Sequence, residues 1–313
     1  MKTFIRVTEI WVPSRDGRTI EFGGGLYGPL TEFRTVSENT QFALGEGLPG
    51  KAWASRHPIV LKEFRNSYFQ RTDAAAAAGL TCGVALPVFA GDALKAVMVF
   101  LCGSDEAQVG AIEVWTNDPA ASTEIELADG YYGSAELFDW TSRNLKFGRG
   151  YGLPGLVWQT GMPLIMNELY RPGQFLRWKE ALQVGLSTGL GIPCLYDPKR
   201  TWVMTFLSAL GTPIARRFET WVPANGGDTM RLGSATCDSN PRLAADYASV
   251  SIAKGEGIIG QALQSGVPAT FEGSANQPSW MKQSLEAAGL EAAVALPVME
   301  RDGQSKAIVA WYF

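Results

Sequence analysis

The alternation of apolar and polar positions along the chain predicts short strands and short helices. Near the start, residues 10–13 and 19–22 alternate in this way, and Asp16-Gly17 between them is typical of a hairpin turn. The alanine-rich residues 73–78 predict a helix, since alanine is the strongest helix former. The pattern therefore predicts a mixed α and β structure.

Two later runs, residues 82–88 and 96–101, are apolar at nearly every position. Strands that are buried on both faces have this composition, so both runs predict central strands. Pro87 lies in the first run and lacks a backbone N–H, which predicts that the strand ends there or has an unpaired edge.

The same order of elements recurs three times. A Gly-x-Gly-x-x-Gly motif returns every 105 residues, at Gly45–Gly50, Gly150–Gly155 and Gly255–Gly260. Other positions repeat at nearly the same spacing: Trp11, Trp115 and Trp221, and Pro58, Pro163 and Pro268. A unit of about 100 residues is large enough to fold around its own core, so the repeat predicts three domains, residues 1–104, 105–210 and 211–313.

The glycine motif has two interpretations. In a dinucleotide-binding fold it follows a buried strand and opens a long helix. Here Pro49 and Pro154 fall inside the motif, and Pro58 leaves room for about one helical turn after Lys51. The sequence favours glycines that allow turns with positive φ and close packing.

An aromatic–x–basic triplet follows each glycine motif, at Phe69/Arg71, Phe175/Arg177 and Trp280/Lys282, and a Gly-Leu pair and an apolar strand come next. In this order the motifs resemble those of the GAF domain, a ligand-sensing module. The resemblance covers nearly the whole chain. It implies an α+β fold of three GAF-like domains, each a sheet of about six antiparallel strands with flanking helices and a pocket.

One departure from the family concerns the connectors. Tandem GAF domains are typically joined by long helices, whereas the segments around residues 102–110 and 208–213 are short, polar or rich in glycine and proline. Neither is long enough for an isolated helix to be stable. We therefore expect a compact block of three domains with approximate threefold symmetry.

The resemblance places candidate pocket residues in all three domains. They are Trp53, Phe69, Arg71, Cys82, Trp158, Phe175, Arg177, Trp280 and Lys282. A cation beside an aromatic ring suits an anionic or planar ligand. The alternative is that the aromatic residues are core anchors and the basic residues cap loops, and recurrence in all three copies favours this alternative.

Known chemistries of the family lack their residues here. The cyclic-nucleotide signature has no lysine and no acid pair at residues 66–73, and the single histidine, His57, precedes a proline. A bilin site needs a cysteine beside a histidine, and methionine sulfoxide reduction needs several cysteines in one domain, where only Cys82 and Cys102 share one. No nucleophile and base recur together. The sequence therefore predicts no cofactor, no metal and no enzymatic activity.

Composition and charge limit the partners. The net charge is −4, divided as +2, −4 and −2 over the three predicted domains, so no domain attracts nucleic acid or anionic lipid by charge. No run is apolar for long enough to span a membrane, and the start of the chain is too charged for a signal peptide. Four cysteines without a repeated spacing favour a reducing cytoplasm.

Two functional hypotheses follow. The first is a sensory and regulatory protein of signal transduction, of the bacterial type, whose pockets bind an unidentified small molecule and whose output passes to a separate protein partner. The second is a GAF-like scaffold or protein-interaction module with filled pockets and no ligand. Self-association into a homo-oligomer is compatible with both.

Overall fold

The computed structural model describes residues 3–103, 108–194, 197 and 199–313. It contains three antiparallel sheets of six strands, one within each predicted domain, and helices that cover one face of each sheet. The predicted α+β class and the sheet of about six strands are confirmed. The domain limits themselves stay predictions, and the first of them, between residues 104 and 105, lies outside the described residues.

The three domains repeat one order of elements. Domain 1 contains β1 (Val7–Pro13), β2 (Thr19–Leu26), α1 (Thr31–Glu38), β3 (Gln41–Ala43), α2 (Gly47–Ser55), β4 (Ile59–Leu61), α3 (Thr72–Ala77), β5 (Leu80–Ala90) and β6 (Ala93–Gly103). Domain 2 contains β7 (Val109–Asn117), β8 (Glu124–Gly133), α4 (Glu136–Arg143), β9 (Lys146–Gly148), α5 (Gly152–Thr160), β10 (Leu164–Asn167), α6 (Trp178–Val184), β11 (Leu186–Cys194) and β12 (Thr201–Ala209). Domain 3 contains β13 (Arg217–Ala224), a short 3-10 helix (Asn225–Gly227), β14 (Thr229–Cys237), α7 (Leu243–Asp246), β15 (Ser251–Ala253), α8 (Gly257–Ser265), β16 (Ala269–Glu272), α9 (Ser279–Ala288), β17 (Ala292–Met299) and β18 (Ser305–Tyr312).

Strand order is the same in the three sheets. In sheet 1 it is β3-β2-β1-β6-β5-β4, and the other two sheets follow the corresponding order. Strand β5 does not end at Pro87. It pairs with β6 up to Ala90, whereas its pairing with β4 stops at Ala85, so the missing N–H of Pro87 faces an edge without a partner strand.

The glycine motif forms a tight turn and the start of a helix. The first two glycines of the first copy have positive φ, 82° at Gly45 and 59° at Gly47. A Cβ on Gly50 would lie 2.2 Å from the carbonyl oxygen of Ala43, so only glycine fits there. The predicted role in close packing is confirmed. The helix is longer than expected, because Pro49 lies in its first turn, where no N–H is needed.

Each sheet has two buried faces with different partners. One face packs against the helices of its own domain and forms a separate core, built around Trp11 in domain 1, Trp115 in domain 2 and Trp221 in domain 3. The opposite faces of the three sheets meet in one central core. At its middle, the equivalent side chains Phe100, Phe206 and Trp311 have ring centroids 5.2–6.0 Å apart.

Contacts between the domains follow a cycle. Strand β4 touches β8, β10 touches β14, and β16 touches β2, so the fourth strand of each domain meets the second strand of the next. Lys62 forms an ion pair with Asp129 at 2.6 Å in the first of these contacts. The expected compact block with approximate threefold symmetry is thus present. No helix in the described part of the chain is long and apolar enough to cross a membrane.

Candidate functional site

The interior of domain 1, beneath its helices, contains a buried ion pair. Arg71 precedes α3 and extends inward to Glu9 on β1, with Nη1–Oε1 and Nη2–Oε2 distances of 2.5 and 2.8 Å. Three further donors reach the same carboxylate: Trp11 Nε1 at 3.0 Å, the Tyr27 hydroxyl at 2.9 Å and the Ser37 hydroxyl at 2.9 Å. Both oxygens of Glu9 are therefore fully engaged.

Aromatic rings enclose the Arg71 guanidinium. Its central carbon lies 5.1 Å from the ring centroid of Trp11, 4.9 Å from Phe33 and 5.4 Å from Phe69. Cation–π attraction is strongest where water is excluded, and this site is buried. Phe69 and Arg71, the predicted aromatic–basic pair, thus lie together inside the domain and contact each other.

Domain 2 repeats this arrangement. Arg177 precedes α6 and pairs with Glu113 on β7, and its Nη2 lies 3.1 Å from Oε2. The indole of Trp115 and the hydroxyls of Tyr132 and Thr205 also donate to Glu113, at 3.0, 3.2 and 2.8 Å. Phe138 and Phe175 pack on the guanidinium, at 4.5 and 4.9 Å.

Domain 3 has an equivalent buried carboxylate, but the arginine that pairs with it comes from a different position in the sequence. Glu219 accepts hydrogen bonds from Trp221 Nε1 at 2.8 Å and from the Tyr312 hydroxyl at 2.7 Å. Its ion-pair partner is Arg217, which lies two residues earlier on β13. Lys282, the residue that the sequence aligned with Arg71 and Arg177, is exposed on α9, 3.9 Å from Glu286.

The electrostatics favour charged carboxylates. Burial raises the pKa of the Glu9 carboxyl, but the charge of Arg71 and the surrounding hydrogen bonds outweigh burial and hold this pKa below its usual value. The pKa of Glu113 is lowered in the same way, against burial, by Arg177. Burial and the neighbouring Glu9 charge raise the pKa of Tyr27, so its hydroxyl stays protonated and donates.

Among the remaining predicted pocket residues, Trp280 packs on the rings of Trp221 and Tyr247 beside the domain 3 pair, at centroid distances of 6.4 and 4.9 Å. Trp53, Trp158 and Trp280 are half-buried at the edges of the three helix-side cores. Trp158 also lines a cavity of about 410 Å³ that domain 2 shares with Arg301 of domain 3. Cys82 is on the opposite face of its sheet, in the central core.

The structure therefore brings Phe69 with Arg71, and Phe175 with Arg177, but does not bring Cys82 or Lys282 to them. The space where the GAF resemblance implies a ligand pocket is occupied by the protein's own side chains. A ligand role for the nine predicted residues stays a prediction.

Sequence reasoning missed the three carboxylates at the centre of these networks. A signal was available, because Glu9-x-Trp11, Glu113-x-Trp115 and Glu219-x-Trp221 recur with the repeat. An acid at a fixed place in an otherwise apolar strand is buried and needs a partner. Arg217 lies outside the aromatic–x–basic motif, so that motif could not reveal it.

Comparisons with known proteins give only partial similarities to solved structures. No family model and no curated protein matches the chain. Similar solved structures include the A. aeolicus nlh2 GAF domain in an inactive state, with 22% identity over 33% of this chain and 60% of that chain and a TM-score of 0.26. Another is a structure described as that of the GAF domain, with 13% identity over 32% and 51% and a TM-score of 0.26. Free methionine-R-sulfoxide reductase from Neisseria meningitidis, in complex with its substrate, has 12% identity over 31% and 52% and a TM-score of 0.25.

Each match covers about a third of this chain and only half to three fifths of the other. The assignment of three GAF-like domains therefore rests on the repeated motifs and strand order of the chain itself. One prediction is corrected. The sequence predicts no enzymatic activity, but the similar solved structures include several free methionine-R-sulfoxide reductases, which are enzymes, so this prediction does not stand.

Proposed function

We propose that this chain is an interaction scaffold, in which three closed GAF-like domains form one rigid block that associates through the outer face of domain 2. The observation that carries the proposal is the buried Glu–Arg pair inside each domain. A ligand entering there would have to displace a paired and hydrogen-bonded charge, and exposing such a charge without its partner is strongly unfavourable. A partner would then have to bind at the outer surface of the protein.

The helical layer of domain 2 offers that surface. Trp140 is 65% exposed and Tyr151 is 74% exposed, and Leu137, Leu176 and Leu182 are also exposed there. Large exposed apolar side chains in one layer are typical of interfaces. Domain 1 has Glu32 and Thr35 at the positions of Leu137 and Trp140, so domain 1 lacks these two apolar side chains.

The occupant that we propose is a second copy of the chain. Helix α4 has Glu136 and Asp139 in its first turn and Arg143 in its last turn. Arg143 forms an ion pair with Asp139 of its own helix at 2.7 Å. Two such helices related by a twofold axis can lie antiparallel, with Glu136 of each near this ion pair of the other, an arrangement that is self-complementary as an isologous dimer requires. The four free thiols are in keeping with a cytoplasmic location, which is part of the proposal.

Sedimentation equilibrium tests the proposal. We expect the protein to dimerise reversibly, and the double variant Leu137→Glu/Trp140→Thr, which carries the residues of domain 1, to weaken the dimer at least about tenfold because a central tryptophan is lost. The control is Leu44→Arg, which places the residue of domain 2 at an exposed position of domain 1. A monomer at all concentrations, or a dimer that the double variant leaves unchanged, would contradict the proposal.

A small-molecule sensor is the second candidate function. The observation that favours it is a cavity between domains 1 and 3, which the end of β2 and Tyr27 line on the side of domain 1. In such a sensor the ligand would alter the packing between domains rather than occupy one domain.

A further inference from the structure

The cavity between domains 2 and 3 lies between hairpins of different domains. Domain 2 contributes the end of helix α5 and the hairpin between β11 and β12, and domain 3 contributes the hairpin between β17 and β18. Its volume of about 410 Å³ is within the usual range of small-molecule sites. None of the described residues that line it belongs to a buried Glu–Arg pair.

The charge of this lining is mainly positive. Four cationic and two anionic side chains line the cavity, and they are Lys199, Arg200, Arg301 and Lys306, with Asp197 and Glu300. The whole chain has a net charge of −4, so the positive excess is local. A phosphate group carries a charge of about −1.5 to −2 at neutral pH, which such an excess can balance.

The cationic side chains of the cavity are accessible to a ligand. Lys199 and Arg301 are exposed, the side chain of Arg200 is 48% exposed and that of Lys306 is 27% exposed. A ligand can therefore reach the charged ends of these side chains without a rearrangement of the domain interiors.

The existing partners of these cations are weak. Arg200 Nη2 lies 3.4 Å from Asp118 Oδ2, and Lys306 Nζ lies 3.4 Å from Glu300 Oε1. Exposed ion pairs of this kind contribute little to stability, so an anionic ligand can replace them at small cost. Lys199 forms no ion pair with the residues that the structure describes.

The equivalent cavity between domains 3 and 1 has different chemistry. The register of the two hairpins aligns Lys199 with Gln304 and Arg200 with Ser305, and these two uncharged residues line the equivalent cavity. A lysine, Lys95, is present there, but no arginine is among its described lining residues. The planar guanidinium group matches phosphate with two parallel hydrogen bonds, so only the cavity between domains 2 and 3 has this feature.

An aromatic side chain also distinguishes the cavity between domains 2 and 3. Trp158 lines it and is half-buried, so part of the indole is open to a ligand. In domain 3 the same place, three residues before the glycine that ends the helix, is taken by Leu263. An open indole beside several cations suits a ligand with both a planar ring and a negative charge.

We propose that the cavity between domains 2 and 3 is a binding site for a small aromatic phosphate. Lys199 and Arg200 of domain 2 and Lys306 of domain 3 bind the phosphate group, and Trp158 packs against the ring. Because both domains supply cations, the ligand links their hairpins. The site is independent of the proposed assembly surface, which lies on the helical layer of domain 2.

The probe for this site is 2-naphthyl phosphate, which joins a planar ring system to one phosphate group. Titration followed by NMR chemical shifts should give saturable binding with a Kd below about 1 mM. The matched controls are 2-naphthol, which lacks the phosphate, and inorganic phosphate, which lacks the ring. Each control should bind at least about fivefold more weakly, because it loses one of the two sets of contacts.

Removal of the cations tests the phosphate contacts. The double variant Lys199→Gln/Arg200→Ser, which carries the residues of domain 3, should weaken binding of 2-naphthyl phosphate at least about tenfold. The control double variant Arg242→Ser/Lys282→Gln removes the same charge from exposed positions in the helical layer of domain 3 and should change the Kd by less than about twofold. Equal weakening by the two double variants would mean that only the net charge matters, and would overturn the proposal.

Replacement of the indole tests the ring contact. Trp158→Leu, which also introduces the residue of domain 3, should reduce the affinity of 2-naphthyl phosphate relative to inorganic phosphate at least about threefold. A general effect on folding would weaken both ligands alike. An unchanged ratio, or no saturable binding of 2-naphthyl phosphate to the wild-type protein up to about 5 mM, would overturn the proposal.

Discussion

At the scale of single residues, the buried Glu–Arg pair is the most informative feature of each domain. A charged pair in a protein interior is no more stabilising than a well-packed apolar group. The loss of one partner, however, leaves the other charge buried without a counter-charge, which is strongly destabilising. The pair therefore makes the domain interior specific rather than exceptionally stable. It also gives the buried guanidinium groups of Arg71 and Arg177 a carboxylate partner.

The first prediction concerns the cost of breaking the pair. Arg71→Met should lower the free energy of unfolding by about 3–5 kcal/mol, because Glu9 is left buried without its cation. Urea unfolding followed by circular dichroism measures the change. The control Lys282→Met removes an exposed cation from the aligned position of domain 3, and its effect should stay within about 0.5 kcal/mol. Equal effects of the two variants would contradict the assigned roles.

The second prediction concerns pH. The folded pKa of Glu9 lies below its unfolded value, so its stabilising contribution is complete above the unfolded pKa of about 4.3 and is lost as the pH falls through the folded pKa. The free energy of unfolding should therefore fall on acidification below about pH 4.3. Glu9→Gln should make this dependence less steep, as measured by urea unfolding at a series of pH values. An unchanged slope would show that Glu9 does not titrate as described.

At the scale of elements, the glycine motif fixes the position of one helix against one strand in every domain. Gly50, Gly155 and Gly260 would each bring a Cβ to within 2.2–2.3 Å of a carbonyl oxygen of the preceding strand. The backbone N–H of Gly45 donates to the carbonyl oxygen of Gly50 at 2.8 Å, and the other two copies have the same hydrogen bond. The motif thus serves packing in all three domains.

The third prediction follows from this contact. Gly50→Ala should destabilise the protein by about 1–3 kcal/mol, because helix α2 must move away from the carbonyl oxygen of Ala43. Thermal or urea unfolding measures the loss. Gly211→Ala is the matched control, because a Cβ there would meet no atom within 4 Å. A neutral Gly50→Ala variant would refute the close-packing role.

Several elements could be predicted from the sequence because their signals are local. The hairpin around Gly17 was predicted by its alternation and turn residues, and the helix Thr72–Ala77 by its alanines. The partner of Arg71 could not be found this way, because Glu9 is 62 residues distant along the chain. In domain 3 the aromatic–x–basic motif points to Lys282, which is exposed, whereas Glu219 pairs with Arg217 two residues earlier on the same strand. That motif could not indicate the exchange, because Arg217 lies outside it.

At the scale of the whole molecule, the three domains act as one body because their sheets share a core. The rings of Phe100, Phe206 and Trp311 come from equivalent positions and contact one another. The cyclic strand contacts close the ring, since each domain meets both of the others. The cavity between domains 1 and 3 is a property of the whole molecule, because side chains from different domains line it.

The fourth prediction concerns cooperativity. A shared core should make the whole chain unfold in one transition, so fluorescence and circular dichroism should report the same midpoint. Phe206→Ala should lower the free energy of unfolding in this single transition by about 3–5 kcal/mol, because it opens a void among all three sheets. Separate transitions in the wild-type protein would mean that the domains are energetically independent.

The most direct test of the central claim, that the protein's own ion pairs close the three domain interiors, is native mass spectrometry of freshly purified Leu26→Tyr. In this variant a tyrosine occupies the cavity between domains 1 and 3, whereas the domain interiors and the cavity between domains 2 and 3 are unchanged. We predict the mass of the polypeptide alone, in monomer or dimer. A discrete additional mass that disappears on denaturation, and that substitutions in the cavity between domains 2 and 3 do not displace, would show an occupied domain interior and would contradict the account.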